Sequence, residues 1–202
     1  MKNILLLASQ SKSRRMLLSQ AQIPFVLIDQ AADESQCDWG LPLPQLVESI
    51  AQYKMSQVIM PLGVQKQELF VITADTLTQN VHGVTFGKPE NEAHAMEILK
   101  TFHEGRIRIN TAVCLDKKVY KYDTWQTDQR VILIVEGQCM FKVPHALMQQ
   151  YIQNSAALSA AGALAIEGYG AQFLQSVSGS YNTIIGLPLF ELRQALYQLG
   201  FF

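Results

Sequence analysis

Hydroxyl and cationic side chains cluster directly behind the first apolar run of the chain. Ser9, Ser11, Arg14 and Arg15 follow residues 4–8, which have the pattern of a buried strand. A serine-capped helix after a strand presents backbone N–H groups at the turn, and guanidinium groups bind oxyanions in a bidentate manner. The pattern therefore predicts an anion site. The alternative is an ordinary helix cap followed by a solvated basic face.

Two carboxylates are candidates for metal binding and proton transfer. Asp75 follows the apolar run 70–74, a predicted buried strand that we expect to end there, and Glu34 lies in an early loop. Mg²⁺ in phosphate sites takes one or two carboxylates and completes its shell with water and phosphate oxygens. The alternative is that both residues are caps or surface groups.

A third cation, Lys88, stands in the sequence Gly87-Lys88-Pro89, where glycine permits close backbone approach and lysine can reach a phosphate. The segment is not a P-loop, because three residues separate Gly83 from Gly87 and proline follows the lysine. An ordinary turn is the alternative. The four histidines lack the i, i+4 spacing of a helical metal pair.

Composition limits the class of protein. The 202 residues are 49% hydrophobic and 16% charged, which is enough for a globular core, and the formal net charge is -1. Such a charge gives no general attraction to nucleic acid or to an anionic membrane, so neither is an expected partner. The short apolar start is too short for a signal peptide, and three scattered cysteines fit a reducing compartment. We therefore expect a cytoplasmic protein.

The hydrophobic pattern predicts an α/β chain. Helices are expected after Ser9 or Ser11, after Pro44, after Asn91, from Pro144 to about Ile152 and over residues 189–199. The middle of the chain is rich in strand signals, and residues 156–170 have the composition of a packed loop. The predicted strands are 4–8, 25–28, 70–74, 106–115, 119–127 and 131–141.

The order of these pieces resembles the Maf family of nucleoside triphosphate pyrophosphatases over nearly the whole chain. The opening Leu7-Ala8-Ser9-Gln10-Ser11 with Arg14 is similar to the start of the family pattern. The later matches follow in family order: Glu34, Lys54, Ala74-Asp75-Thr76, Gly87-Lys88-Pro89, Thr111, Ala161-Gly162, and Asn182 with Gly186-Leu187-Pro188.

The resemblance implies a single domain over residues 1–202, with an elongated mixed β-sheet flanked by helices and two lobes around a central cleft, as in Maf and ITPase-like folds. It also implies hydrolysis of a nucleoside triphosphate to the monophosphate and pyrophosphate. Asp75 would be the general base, and Glu34 and Asp75 would hold Mg²⁺, or alternatively Mn²⁺. A homodimer is a further implication.

The triphosphate would be bound by the cationic and hydroxyl side chains of the matched motifs. By this resemblance its ligands are Ser9, Ser11, Arg14, Arg15, Lys54 and Lys88.

Departures from the common Maf pattern bear on the nucleobase. Ser13 replaces an arginine, Ala160 replaces a lysine and Glu167 replaces a glutamine, and these resemble the subclass that prefers 7-methylguanosine triphosphate. Thr76 instead resembles the subclass that takes thymidine and uridine triphosphates. A carboxylate accepts from the N1 and N2 donors of guanine and favours a cationic methylated ring, so we expect a modified purine. A dTTP/UTP pyrophosphatase is the alternative.

Three further functions stay open from the sequence. A nucleotide-binding regulator of cell division without turnover is one, because the family is named after an effect on septum formation and Ala160 removes an expected cation. A phosphatase that releases inorganic phosphate is the second. A nucleic-acid-binding protein is the third, and the near-neutral charge disfavours it.

Overall fold

The computed structural model describes residues 3–64 and 67–202 and shows a mixed sheet of seven strands flanked by helices. The strands are β1 Leu5–Leu7, β2 Phe25–Leu27, β3 Glu68–Gln79, β4 Thr85–Phe86, β5 Ile107–Lys121, β6 Thr124–Phe141 and β7 Leu174–Gly179. Their order in the sheet is β2-β1-β3-β5-β6-β7, and β4 pairs with β3. β1 runs parallel to β2 and β3, whereas the β3–β4 and β6–β7 pairs are antiparallel. The predicted α/β class is confirmed.

Six α-helices accompany the sheet in the described part of the chain. They are α1 Lys12–Gln20, α2 Leu43–Ser56, α3 Glu92–Thr101, α4 Met148–Asn154, α5 Tyr181–Ile185 and α6 Leu189–Gln198. The caps agree with the prediction at two helices, because Ser11 caps α1 and Asn91 caps α3 through their side-chain oxygens. None of the helices in the described residues is long and apolar enough to cross a membrane.

The spacing of apolar residues in helix α2 places Lys54 on the buried side of the helix. Leu46, Val47 and Ile50 are fully buried, and Lys54 lies four residues after Ile50 on the same side of the helix. Lys54 is therefore buried, with 7% of its surface exposed. The hydroxyl of Thr73 in β3 donates to the carbonyl of Ala51 at 2.7 Å, which holds α2 against that strand.

Two strand predictions are wrong. β3 does not end at Asp75 but continues to Gln79, because the buried positions Leu77 and Thr78 and the pairing with β4 extend beyond it. The middle of the chain forms two long strands and not three. The predicted strand 119–127 contains the turn that joins them, where Tyr122 and Asp123 have φ of 53° and 58°, as in a type I′ hairpin turn.

β7 and α5 are not predicted by the sequence pattern, and residues 156–170 are predicted only as a packed loop. That segment is made of short 3₁₀ turns that include Ala157–Ser159, Ala161–Ala163 and the start of Gly168–Phe173. Its apolar side chains at Ala157 and over residues 163–166 are buried, so the prediction of a packed segment is confirmed for that part.

The chain forms two compact units. One comprises Met1–Asp75, Ala112–Ile134 and Leu187–Phe202, with Met1, Lys2, Gln65 and Lys66 outside the described residues; the other comprises Thr76–Thr111 and Val135–Gly186. The second unit has its own core, in which Phe141, Tyr151 and Phe173 pack edge to face. The single-domain organisation and the cleft stay predictions.

Candidate active site

The turn between β1 and α1 folds around its two serines. Ser11 accepts a hydrogen bond from the backbone N–H of Arg14 at 3.3 Å. The hydroxyl oxygen of Ser9 accepts from the N–H of Ser11 at 3.3 Å and from Nη1 of Arg14 at 3.1 Å. Arg15 is half-buried and approaches the backbone oxygen of Gln10 at 3.5 Å. The structure thus joins Ser9, Ser11 and Arg14 into one hydrogen-bonded turn.

Three predicted site residues from distant parts of the sequence meet in an ionic cluster. Nζ of Lys54 lies 2.8 Å from Oε1 of Glu34 and 2.7 Å from Oδ1 of Asp75. The side chains of Lys54 and Asp75 are 9% and 7% exposed, whereas that of Glu34 is 45% exposed. Lys54 therefore bridges a buried carboxylate and a solvent-facing one.

Arg14 adds a second positive charge near these carboxylates. Its burial lowers the pKa of the guanidinium, and the negative charges of Asp75 and Glu34 oppose that shift. Arginine stays protonated in spite of such shifts, so Arg14 is a buried permanent cation. Predicted phosphate ligands and predicted metal ligands are thus brought together within one unit.

Asp75 presents one carboxylate oxygen to Lys54 and leaves the other unused. Among the described residues, the buried Oδ2 of Asp75 has no hydrogen-bond partner. A buried acceptor without a partner carries a desolvation cost of about 1–3 kcal/mol or more when charged. This oxygen is therefore a strong position for an incoming cation or for a proton donor such as water.

The second unit contains Thr76, Lys88 and Glu167, and Thr76 lies in β3. The hydroxyls of Thr76 and Thr111 lie 2.9 Å apart, and the hydroxyl of Thr111 donates to the carbonyl of Thr183 at 2.8 Å. Because a carbonyl only accepts, the single proton of Thr111 is directed to Thr183, and Thr76 donates to Thr111. The hydroxyl of Thr76 is consequently oriented by its neighbours.

Lys88 is exposed and forms no ion pair with a described residue. The carbonyl before it, that of Gly87, accepts from the N–H of Gly162 at 2.7 Å. Gly162 has φ of 62°, and a Cβ there would lie 2.1 Å from Oγ1 of Thr78. The packed segment 156–170 is therefore attached to the Lys88 turn at a position that accepts only glycine.

Glu167 is half-buried and precedes the 3₁₀ helix Gly168–Phe173. Burial raises the pKa of Tyr181, and the negative charge of Glu167 adds to that rise. Buried Tyr151 supports the same segment, because its O–H donates to the carbonyl of Ala163 at 2.6 Å and accepts from the N–H of Ala165 at 2.8 Å. The backbone before Glu167 is thereby held by a fully buried side chain.

Comparisons with known proteins identify the family of this chain. The family model described as "Maf-like protein" matches residues 4–199. The chain belongs to the Maf family. Among its curated Maf-type relatives, the dTTP/UTP pyrophosphatases of Caldicellulosiruptor bescii and Hydrogenovibrio crunogenus are 31% and 30% identical to it. The alignments cover 98% and 100% of this chain and 95% and 99% of those proteins.

A third Maf relative, the dTTP/UTP pyrophosphatase of Acholeplasma laidlawii, is 31% identical over 92% of this chain and 91% of its own length.

Two of the residues that depart from the common Maf pattern lie in or beside helical turns. Ser13 is on the first turn of α1, and Ala160 is half-buried between two 3₁₀ turns.

One neighbour of the ionic cluster was not found from the sequence. Burial raises the pKa of the Cys37 thiol, and the negative charges of Glu34 and Asp75 raise it further, whereas Lys54 opposes them. Cys37 therefore lies within electrostatic range of both Maf carboxylates, which favour its neutral thiol form. No spacing in the sequence connects this cysteine with Asp75, so only folding shows the proximity.

Proposed function

We propose that this Maf protein is a hydrolase that converts a nucleoside triphosphate to the monophosphate and pyrophosphate. The observation that carries the proposal is the Glu34–Lys54–Asp75 cluster with Arg14 beside it. Paired carboxylates and buried cations are the groups that phosphoryl transfer requires, because charge on three phosphates must be neutralised while a water is oriented. The names of the relatives support the same reaction class.

In this proposal Asp75 orients the attacking water and takes its proton. The water oxygen forms a bond to the α-phosphorus, and the bond from that phosphorus to the α,β-bridging oxygen breaks. The bridging oxygen keeps the electron pair and leaves with pyrophosphate, and the proton of the water passes to the Asp75 carboxylate. Ser9, Ser11, Arg14 and Lys54 would hold the phosphates, with Arg15 and Lys88 as further ligands implied by the Maf resemblance.

The carboxylates suit a divalent metal ion. In the described part of the chain no group of three or more His, Cys, Asp or Glu side chains forms a complete metal cage. Two carboxylates, one of them with a buried oxygen that lacks a partner, match the open donor set that Mg²⁺ uses with phosphates. We propose that Glu34 and Asp75 hold Mg²⁺, or alternatively Mn²⁺, and that the ion supplies charge neutralisation when bound.

Product analysis tests the reaction. The purified protein is incubated with Mg²⁺ and a panel of common, methylated and damaged nucleoside triphosphates, and pyrophosphate is resolved from inorganic phosphate. We expect pyrophosphate and the monophosphate in equal amounts. Inorganic phosphate as the first product would contradict the proposal in favour of a phosphatase. Tight nucleotide binding without any product would contradict it in favour of a regulator of cell division that does not turn over.

For the nucleobase, we propose 7-methylguanosine triphosphate as the preferred substrate. The support is Glu167, a half-buried carboxylate on a segment that Tyr151 holds in place. A carboxylate accepts two hydrogen bonds from the N1 and N2 donors of guanine and attracts a cationic methylated ring. The O2 and O4 acceptors of a pyrimidine gain nothing from a carboxylate.

A dTTP/UTP pyrophosphatase is the second candidate, and two observations favour it. Thr76 follows Asp75 as in that subclass, and the hydroxyl of Thr76 is oriented by Thr111. The relatives at about 30% identity carry the name dTTP/UTP pyrophosphatase. The substrate panel separates the two candidates directly by the ranking of kcat/KM values.

Replacing Glu167 by glutamine is expected to lower the ratio of kcat/KM for 7-methylguanosine triphosphate to that for UTP by about ten-fold or more, because the amide loses the charge and one acceptor. Both values are measured by pyrophosphate release. Glu90→Gln, an exposed residue with the same chemical change, is the control and should leave the ratio unchanged. An unaltered ratio in Glu167→Gln would remove Glu167 from base recognition.

The resemblance also supports a cytoplasmic homodimer as a proposal. The thiols of Cys37, Cys114 and Cys139 are free, which suits a reducing compartment. Light scattering of the purified protein would measure the mass, and a monomer at micromolar concentration would contradict the dimer.

A further inference from the structure

The ionic cluster and Arg14 together are electrically balanced without any ligand. Glu34 and Asp75 contribute two negative charges, and Lys54 and Arg14 contribute two positive ones, so the four groups sum to zero. A divalent cation is attracted by net negative charge, and a neutral group of charges provides little of it. The carboxylates that suit a metal are therefore already neutralised in the substrate-free protein.

Lys54 occupies the place where a metal would interact with both carboxylates at once. Its ammonium lies within 2.8 Å of an oxygen of each, and a divalent ion shared by the same two oxygens would bring its charge against that ammonium. Like charges a few ångströms apart in a buried site repel strongly. A metal ion that binds through these two oxygens therefore requires Lys54 to move away from them.

We infer that Lys54 is an exchangeable counter-ion that keeps free divalent cations out of the site and admits the metal only together with a polyphosphate. This inference rests on the proposed function. The phosphates would give Lys54 and Arg14 new anionic partners, and the carboxylates would then be released to the ion that arrives with the nucleotide. Lys54 thus specifies the metal–nucleotide complex as the species that binds.

The local structure makes Lys54 suited to such an exchange. An ammonium has three N–H donors, and the two carboxylates use two of them, which leaves one for a phosphate oxygen before the ion pairs break. Lysine carries a point charge on a flexible four-carbon stem, so its head can change partners while the stem stays packed on α2.

Asp75 has an oxygen that would interact more strongly with a metal ion than with Lys54. Its buried Oδ2 has no hydrogen-bond partner among the described residues, although its Oδ1 is paired with Lys54. A desolvated carboxylate oxygen interacts more strongly with a cation than a hydrated one does. Lys54 therefore neutralises the charge of the site without satisfying all of its acceptors, which leaves a position for the metal once Lys54 has moved.

Direct Mn²⁺ binding tests the inference without a catalytic readout. Free Mn²⁺ is titrated into the intact protein without nucleotide, and unbound Mn²⁺ is measured by electron paramagnetic resonance. Lys54→Met, which keeps the apolar stem and removes the charge, is expected to bind free Mn²⁺ about ten-fold or more tightly than the wild type. Lys54→Arg, which retains the charge, should bind Mn²⁺ as weakly as the wild type.

Lys121→Gln is the control for loss of one lysine charge, because Lys121 is exposed and forms no ion pair with a described residue. It should behave as the wild type does. Thermal melting confirms that each variant is folded, and Lys54→Gln replaces Lys54→Met if the latter does not fold. Free Mn²⁺ binding that is equally tight in the wild type and in the uncharged variant, or absent from both, would overturn the inference.

A second measurement separates this inference from the proposed function. The relaxation rate of water protons reports how much Mn²⁺ is bound to the protein. With an α,β-imido nucleoside triphosphate, which resists cleavage at the α-phosphorus, the wild type should show protein-bound Mn²⁺ that it lacks without nucleotide. A wild type that fails to release pyrophosphate from any nucleotide of the substrate panel would contradict the proposed function instead. The comparison of Lys54→Met with the wild type needs no turnover and stands in either case.

Discussion

Asp75→Asn is expected to lower the turnover number for pyrophosphate release by about a thousand-fold, in the middle of the range for loss of a general base. The amide cannot take a proton from water, and it removes one of the two carboxylates proposed to hold the metal. The rate is measured by pyrophosphate release at saturating nucleotide. The variant keeps the side-chain volume, so helix and sheet content by circular dichroism should match the wild type.

Asp29→Asn is the matched control, since Asp29 is an exposed aspartate and lies outside the ionic cluster. It should retain wild-type turnover. A nucleotide that still binds to Asp75→Asn would show that Ser9 and Arg14 persist as phosphate ligands and that the loss concerns the chemical step. Turnover of Asp75→Asn within about ten-fold of the wild type would exclude Asp75 as the base.

Asp116→Asn is expected to cost about 3 kcal/mol of unfolding free energy, the lower end of the range for breaking a buried ion pair. Asp116 is completely buried, and its carboxylate accepts hydrogen bonds from Nε and Nη2 of Arg130 at 2.6 Å and 2.8 Å. It also forms an ion pair with Nζ of Lys118 at 3.0 Å. The guanidinium of Arg130 is partly solvated, which moderates the loss. Urea unfolding measures it, and Asp128→Asn on the same hairpin should change stability by less than about 0.5 kcal/mol.

The contribution of Asp116 to the free energy of unfolding also depends on pH. Burial alone raises the pKa of Asp116, but the hydrogen bonds and charges of Arg130 and Lys118 outweigh it and hold the pKa below its ordinary value of 3.8. The folded state therefore gains stability above that ordinary pKa and loses it as the pH falls through the lowered one. The difference between wild type and Asp116→Asn should be constant near pH 7 and shrink below about pH 4. A difference that grows on acidification would contradict this account.

Much of the local structure follows from short-range sequence signals. The β1–α1 turn, helix α3 and the C-terminal helix were predicted because a cap or an apolar period lies within a few residues of the chain. The end of β3 and the division of the middle into two strands were not, because strand length depends on pairing with neighbouring strands, such as β5 beside β3 and β7 beside β6. The hairpin turn at Tyr122 and Asp123 contains no glycine to indicate it.

The candidate site was likewise predicted only in part from the sequence. The sequence named Ser9, Arg14, Lys54 and Asp75 because residue types in a fixed order carry the Maf pattern, and such order is a property of the chain alone. It assigned Lys54 to a phosphate and gave no reason to place Cys37 beside the carboxylates.

Only the tertiary structure decided that Lys54 bridges Glu34 and Asp75, that Asp75 keeps a buried oxygen without a partner in the described residues, and that Arg14 balances the charge. The physical reason is that Coulomb interactions and desolvation depend on distances in space and on burial, and neither quantity is fixed by separation along the chain. The sequence determined which groups the site contains, and the fold decided which of them neutralise one another.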